Sequence, residues 1–381
     1  MSPTRVDFDS HATTPIDPAA RDAMANVWAT PHGNPSSVHA LGRRARAWIE
    51  DAREQIAAAL HARRDEIVFT SGGTEAVHLA VRATADSREP QSIWFDPCGH
   101  PALAAACRLV ANARGIACEP IPIRRGGEPD LDALRASILA AGRRALVAIS
   151  WVQHETGGIA PIRALIDVAN SVESVCLLDG AQAFGKLAVD VGTTGAAAIT
   201  MSAHKIGGPT GAGAVWFDGA VRIPGQGGGG GQERGLRAGT ENVAGIVGLG
   251  AAAAHVGRRV DAMVRVGAMR DTIARALLST PRIALNGAER TRVSTALHVS
   301  VEGAAGEELV ASFDLEGVSV SSGPACASGK PEPSASMLAM YPDEPWRASS
   351  ALRITLGPEN TNDDVARFLE VASRVIERVR R

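Results

Sequence analysis

Aromatic side chains are scarce in this chain of 381 residues, at 4% of the total. With 45% hydrophobic residues the chain can still bury a large core, but alanine and aliphatic side chains must fill it. Charge of either sign is not in excess. The formal net charge of −2 gives no electrostatic reason to expect direct nucleic-acid or membrane binding. No apolar run approaches the ~20 residues of a membrane span. The N-terminal residues lack the apolar centre of a secretory signal. Cysteine is sparse and odd in number: Cys98, Cys107, Cys118, Cys176 and Cys326 do not form a disulfide framework in a chain of this size. The expected compartment is the reducing cytoplasm. Internal repeats are absent, and the length corresponds to two or three units of ordinary domain size.

What is present is an alternation of strand-like and helix-like stretches. Residues 15–30 read as a turn and a short helix. Residues 42–61 read as an amphipathic helix, with Ala45, Ile49, Ala52, Ile56 and Leu60 at helical spacing. Strands are expected over 66–70, 92–95, 116–121, 145–150, 174–178 and 196–200. Helices are expected over 75–85, from Pro101 onward, and between the later strands. This order predicts a mainly parallel sheet covered on both faces, an α/β fold whose ligands sit at the carboxyl ends of the strands. The glycine-rich 225–231 stretch precedes an Ala/Gly-rich helix expected over 241–256. From about Asp261 the pattern changes to short strands at 296–301, 318–321 and 352–356 with intervening helices, and Thr361 is placed to cap a final helix. The domain reading is a large domain over 15–258 and a smaller α+β domain made of 1–14 and 259–381.

One stretch organises the chemistry. The run 196–200 leads into Ser202, Ala203, His204 and Lys205, and Gly207, Gly208 and Pro209 stop it. A lone lysine in a loop is ordinarily a surface lysine. At a strand end inside an apolar pocket, however, burial lowers its pKa and frees the amine to form a Schiff base. Asp179 closes another strand, and His100 and Gln182 stand near strand ends. An aspartate to keep a pyridine nitrogen protonated, a lysine for an aldehyde and a flat imidazole against a ring are the requirements of pyridoxal phosphate. Ser71, Gly72, Gly73 and Thr74 open a helix whose free N–H groups suit an anion. Cys98, His100 and Cys107 lack the spacing of a zinc site and a fourth ligand, so no metal is expected.

Asp179 to Gln182 followed by Ser202 to Lys205 resembles the cysteine desulfurases of the NifS/IscS type, in the class V aminotransferase group of fold-type I pyridoxal-phosphate enzymes. The resemblance runs from Asp9–Pro15 to Leu352–Gly357, nearly the whole chain. It implies a seven-stranded, mainly parallel sheet in a homodimer. It also implies that the cofactor phosphate is held by Gly73, Thr74, Ser202, His204 and, across the dimer, Thr240. Asp179 would pair with the ring nitrogen, Gln182 with the ring oxygen, His100 with the ring face, and Lys205 would carry the cofactor and move the α-proton. Arg353, assisted by Asn34, would take the substrate carboxylate. Cys326, in the segment from Ser321 to Lys330, would be the nucleophile that accepts sulfur from L-cysteine, releasing L-alanine and passing the sulfur to an acceptor protein.

Three positions depart from the family pattern. His154 stands where an asparagine is usual at the cofactor, and an imidazole there can titrate near neutral pH. His11 follows Ser10 where a different pair is usual. Pro324 precedes the nucleophile, where it would stiffen the loop. The rival readings are a selenocysteine lyase or another class V lyase or aminotransferase, which have no need of Cys326, and a sulfur-relay scaffold activated by a partner. Iron–sulfur assembly, tRNA thiolation and DNA phosphorothioation (the DndA-type enzymes) are the destinations the resemblance leaves open for the sulfur.

Overall fold

In the computed structural model, residues 5–219, 221, 229–323 and 333–380 are described. The strands in chain order are β1 (Val6–Asp7), β2 (Ile67–Thr70), β3 (Ser92–Phe95), β4 (Ala117–Pro120), β5 (Ala145–Ser150), β6 (Val175–Asp179), β7 (Ala198–Ser202), β8 (Gly213–Phe217), β9 (Ile283–Leu285), β10 (Ala296–Val301), β11 (Val318–Ser319) and β12 (Ala351–Thr355). Seven of them form one sheet in the order β2-β8-β7-β6-β5-β3-β4. The neighbours from β7 to β4 are all parallel, and β8 runs antiparallel to both β7 and β2. The sheet is thus seven-stranded and mainly parallel, as the resemblance implies. The antiparallel β8 has no counterpart among the strands read from the sequence. Glycines and a proline surround it (Gly207, Gly208, Pro209, Gly211, Gly213), which hides a five-residue run that is nonetheless fully buried.

The inner strands are buried along their whole length, as in β5 (ALVAIS) and β7 (AITMS), because helices cover both faces. On one face the helices Pro18–Ala29, Ala40–Leu60 and Val243–Ala254 share an apolar cluster with the sheet. The other face packs against Gly73–Arg88 and Pro101–Arg114. The Ala/Gly composition of Val243–Ala254 permits its close approach to Ala40–Leu60: a Cβ on Gly250 would lie 2.7 Å from Ala52 Cα. That helix ends sooner than the composition predicts. Asn242 caps it by accepting from Gly245 N, and the chain breaks at His255 before two further helices, Val256–Asp261 and Met263–Leu278.

A separate apolar cluster gathers Val6 and Phe8 with residues from Met263 to Ile376. It lies between the antiparallel strands β12-β10-β9, the pair β1-β11, and the helices Met263–Leu278, Gly306–Leu315 and Asn362–Val379. Val6 and Phe8 therefore pack with the last third of the chain. Thr361 caps Asn362–Val379 in a reciprocal capping box with Asp364. No described helix is long and apolar enough to cross a membrane.

Candidate active site

The parallel strands deliver their carboxyl ends to one cavity. Register aligns Ser150 of β5, Asp179 of β6 and Thr200 of β7 side by side. Beyond those ends come His100, His154, Gln182 and Lys205, and together with Gly73, Thr74, Ser202, His204, Asp179 and Arg353 they line a cavity of about 280 Å³. That is near the lower end of the volumes of small-molecule sites. The chain leaves β3 toward β4 and returns through β5 toward the opposite edge, so the cavity lies where strand order reverses.

Lys205 ends a short 3-10 turn, Ala203–Lys205, that follows β7 directly. Its Nζ donates to the carbonyl oxygens of His11 (2.5 Å) and Ala12 (2.8 Å). Thr14 locks this N-terminal segment onto the turn: its N and Oγ1 both donate to His204 O, and its Oγ1 accepts from Gly207 N at 2.7 Å. The carbonyls that hold the lysine thus come from the other end of the chain. No periodicity in the sequence pointed to this contact.

Asp179 Oδ1 accepts from Thr200 Oγ1 (2.9 Å) and from Ala181 N (3.1 Å), which fixes the carboxylate at the strand end. Gln182 Nε2 donates to His11 O (3.0 Å), and its Oε1 accepts from the Nζ of the buried Lys186 (2.9 Å). His100 caps the helix Pro101–Arg114 through Nδ1, which accepts from Ala102 N. Its ring meets that of His154 edge-on, with centroids 5.7 Å apart. Arg353, on β12, is almost wholly buried. Its Nη2 donates to Asp9 Oδ1 (2.8 Å) and its Nη1 to His154 O (3.4 Å), while its Nε has no partner among the described residues. A guanidinium at the cavity wall suits a carboxylate.

The helix Gly73–Arg88 begins at the cavity with no side-chain cap, so its first N–H groups stay available to an anion. Gly73 allows the approach, because a Cβ there would lie 3.3 Å from Ser202 Cβ. Thr74, Ser202 and His204 add polar side chains on the same wall. One end of the cavity therefore offers donors for a phosphate, the middle a buried carboxylate for a protonated ring nitrogen, and the far wall an amine. This donor set fits pyridoxal phosphate.

The imidazoles around the cavity are held neutral. Burial, with Lys205 and Lys186 nearby, brings His204 down to about 4. Burial brings His298 down to about 3, with Arg353 and Arg292 acting the same way. His100 is lowered by burial, against the pull of Asp179 and with the help of Lys205. His154 is lowered well below the ordinary imidazole value by burial and by His100, Arg353 and Lys205. The expectation that His154 titrates near neutral pH is therefore corrected: a desolvated imidazole among cationic neighbours stays neutral there. His11 is likewise depressed by burial and by Lys186; its Nε2 lies 2.8 Å from Thr295 Oγ1 and its Nδ1 3.2 Å from His154 O.

Two expected residues lie elsewhere in the single chain. Asn34 and Thr240 do not reach the cavity; they line a second recess with Val27, Trp28 and Glu241. Asn34 Oδ1 caps a turn by accepting from Ser36 N, and the structure does not bring it to Arg353. Cys326 and Pro324 lie outside the described residues. The four other cysteines are free thiols. Burial pushes Cys176 up to about 12 and raises Cys98, Cys107 and Cys118 as well, which makes them poor nucleophiles. Among the described residues no group of three or more His, Cys, Asp or Glu could hold a metal ion.

Four contributors escaped the sequence reading: the His11 and Ala12 carbonyls, Thr200 and Lys186. A signal for Lys186 was available. The chain has three lysines, Lys186, Lys205 and Lys330, among 39 lysines and arginines.

The profile of the Aminotransferase class-V family matches residues 6–368. A cysteine desulfurase of Gluconacetobacter diazotrophicus is 36% identical over 378 residues, covering 98% of this chain and 94% of that protein. Among solved structures, a NifS-like protein superposes with a TM-score of 0.88 at 28% identity, covering 98% of this chain and 99% of that one. A structure described as SspA in complex with cysteine matches with a TM-score of 0.78 at 27% identity, over 94% of this chain and 100% of that one.

Proposed function

The chain belongs to the aminotransferase class-V family, and we propose that it is a pyridoxal-phosphate-dependent cysteine desulfurase. The observation that carries this reading is the convergence of Lys205, Asp179, His100 and Arg353 on one strand-end cavity, in a chain 36% identical to a cysteine desulfurase over nearly its whole length. When bound, pyridoxal phosphate supplies an aldehyde for an amine and an electron sink for the electrons of a broken bond. The N-terminus of Gly73–Arg88 with Thr74, Ser202 and His204 would hold its phosphate, and Asp179 its ring nitrogen. Arg353 receives the carboxylate of L-cysteine and thereby fixes where the α-carbon sits. The Lys205 amine removes the α-proton and returns it, and the neutral His100 lines the same cavity, where it can exchange protons. Burial of the cavity keeps these transfers away from bulk water.

Cys326 is the sulfur acceptor in this reading. Its thiolate forms the S–S bond as the C–S bond of the substrate breaks, and the substrate carbon takes a proton. L-Cysteine and the enzyme thiol become L-alanine and an enzyme persulfide, with no oxidant consumed. The persulfide then passes to an acceptor protein. The working form is a homodimer in which the recess of Asn34 and Thr240 meets a second copy. The exposed Trp28 in that recess and the exposed Val38, four residues beyond its Asn34, support it, as does Glu241, whose buried carboxylate oxygens have no partner among the described residues. The apolar clusters on the two sheet faces, and the separate cluster of Val6 and Phe8 with the last third of the chain, support a large domain over 15–258 and a small one made of 1–14 and 259–381.

The test is to incubate purified protein with L-cysteine and a thiol reductant and to measure alanine and sulfide, for the wild type and for Cys326→Ala. Equal alanine and sulfide, both lost in Cys326→Ala while the cofactor colour remains, is the expected result. Activity retained without Cys326 would replace this reading with a lyase that needs no thiol nucleophile. A slow wild type accelerated by an acceptor protein would make sulfur relay its main task.

A further inference from the structure

Lys186 is a buried lysine with no counter-ion among the described residues. It lies on the segment that follows β6, 7% exposed, and its one described hydrogen bond goes to Gln182 Oε1 at 2.9 Å. The charged groups that act on it are cationic: Lys205 and Arg259. It in turn acts on His11 and His204, both held neutral. No acidic side chain lies within ion-pair distance of it among the described residues. Burial and these cations lower its pKa well below that of an ordinary lysine. An arginine could not respond in this way, because a guanidinium stays charged. Elsewhere the chain uses arginine almost without exception, yet both of its described lysines stand at this site.

The bond from Lys186 and the bond to the His11 carbonyl together set which way the Gln182 amide faces. With Oε1 held by the Lys186 amine, the NH2 group turns toward the cavity wall, where one hydrogen goes to His11 O (3.0 Å). An amide NH2 has a second hydrogen. Turned over, the amide would face Oε1 toward His11 O, two acceptors against each other, and would present a carbonyl oxygen to the cavity. His11 O is also the acceptor for Lys205 Nζ. Lys186, Gln182, His11 O and Lys205 thus form one chain of hydrogen bonds joining the two amines.

We propose that Lys186 is a positioning residue that, through Gln182, keeps an N–H donor facing the ring oxygen of the cofactor. This rests on the reading that the cavity takes pyridoxal phosphate with Gln182 at that oxygen. A donor there spreads the negative charge of the oxygen and makes the neighbouring nitrogen, joined to Lys205, less basic. Without the donor, the nitrogen keeps its proton to higher pH.

The experiment titrates the visible absorbance band of the cofactor-loaded protein with pH, without substrate, for wild type, Lys186→Met, Lys186→Arg, Gln182→Leu and the Lys186→Met/Gln182→Leu double variant. Lys186→Met should raise the midpoint by about one pH unit, a tenfold change in the proton equilibrium. Gln182→Leu should raise it similarly, and the double variant should go no further, because the two changes break one pathway. Lys186→Arg keeps a donor and a fixed positive charge, so its midpoint should lie at or below that of the wild type. Coincident midpoints for Lys186→Met and wild type, additive shifts in the double variant, or a rise in Lys186→Arg would overturn the proposal. The Arg variant decides alone if the Met variant does not fold. A wild type that takes up pyridoxal phosphate without any pH-dependent visible band would instead overturn the cofactor reading beneath it.

Discussion

The cavity around Lys205 and the recess around Glu241 are built in opposite ways. In the cavity, side chains from five strand ends and from the first residues of the chain meet, and they hold one another: Asp179 by Thr200, Gln182 by Lys186, Lys205 by two carbonyls. In the recess, a buried carboxylate has both oxygens unpartnered among the described residues, and Trp28 and Val38 stand 68% and 88% exposed nearby. The first region is organised by one chain. The second has the unsatisfied polar group and exposed apolar surface that the proposed dimer interface would cover. If the recess is the proposed dimer face, cofactor placement and assembly are written into separate parts of the molecule, and the cavity can be broken without loss of assembly.

The largest effect should come from the cavity. Lys205→Ala removes the base and should lower the rate of alanine formation by about 10³-fold, while gel filtration shows an unchanged assembly. Next is the substrate clamp. Arg353→Lys loses the planar fork and should raise the KM for L-cysteine by about tenfold or more, with a smaller change in kcat; an unchanged KM would place the substrate carboxylate elsewhere. From the recess side, the double change Trp28→Asp and Val38→Asp should shift sedimentation from dimer to monomer and lower activity by about tenfold, although neither residue touches the cavity. A dimer that survives both changes would detach this recess from assembly.

How much of this was legible in the sequence depended on range. The strands at 92–95, 145–150 and 296–301 were readable to the residue because they are short, mostly apolar runs set off by polar residues at their borders. Asp179 and Lys205 were readable because their surroundings, a strand ending in a polar residue and a turn, are local. β8 was not, because glycines at its borders masked its run. The cradle of Lys205 was not legible either, since its acceptors lie more than 190 residues away and are backbone carbonyls of unremarkable residues. Lys186 was legible only as one of three lysines in a chain that otherwise uses arginine. Desolvation of His154 depends on packing by β12 and the N-terminal segment, which no local pattern reports.

Two smaller effects sharpen the account. The imidazoles of the site are neutral when folded and have depressed pKa values, so the unfolded chain binds more protons below the ordinary histidine value of 6.5. Stability is present in full above that value and is lost as pH falls through the window down to about 4 for His204 and about 3 for His298. The melting temperature of the cofactor-free protein should fall by several degrees as pH drops from neutral into this window. Replacing the buried His298 by a non-titrating residue of similar size should flatten that slope. A flat wild-type profile would mean the imidazoles are solvated. The smallest effect is expected from His154→Asn. Because His154 stays neutral at neutral pH, the acid limb of kcat between pH 6 and 8 should not move. Disappearance of that limb would show that His154 titrates there after all.

The most direct test of the account as a whole is to load the protein with pyridoxal phosphate, reduce it with borohydride, digest it and locate the added mass. Three lysines can carry it, Lys186, Lys205 and Lys330. The strand-end cavity predicts a stoichiometric label on the peptide containing Lys205 and none on the other two. A label on Lys186 or Lys330, with Lys205 unmodified, would contradict the assignment of the catalytic centre.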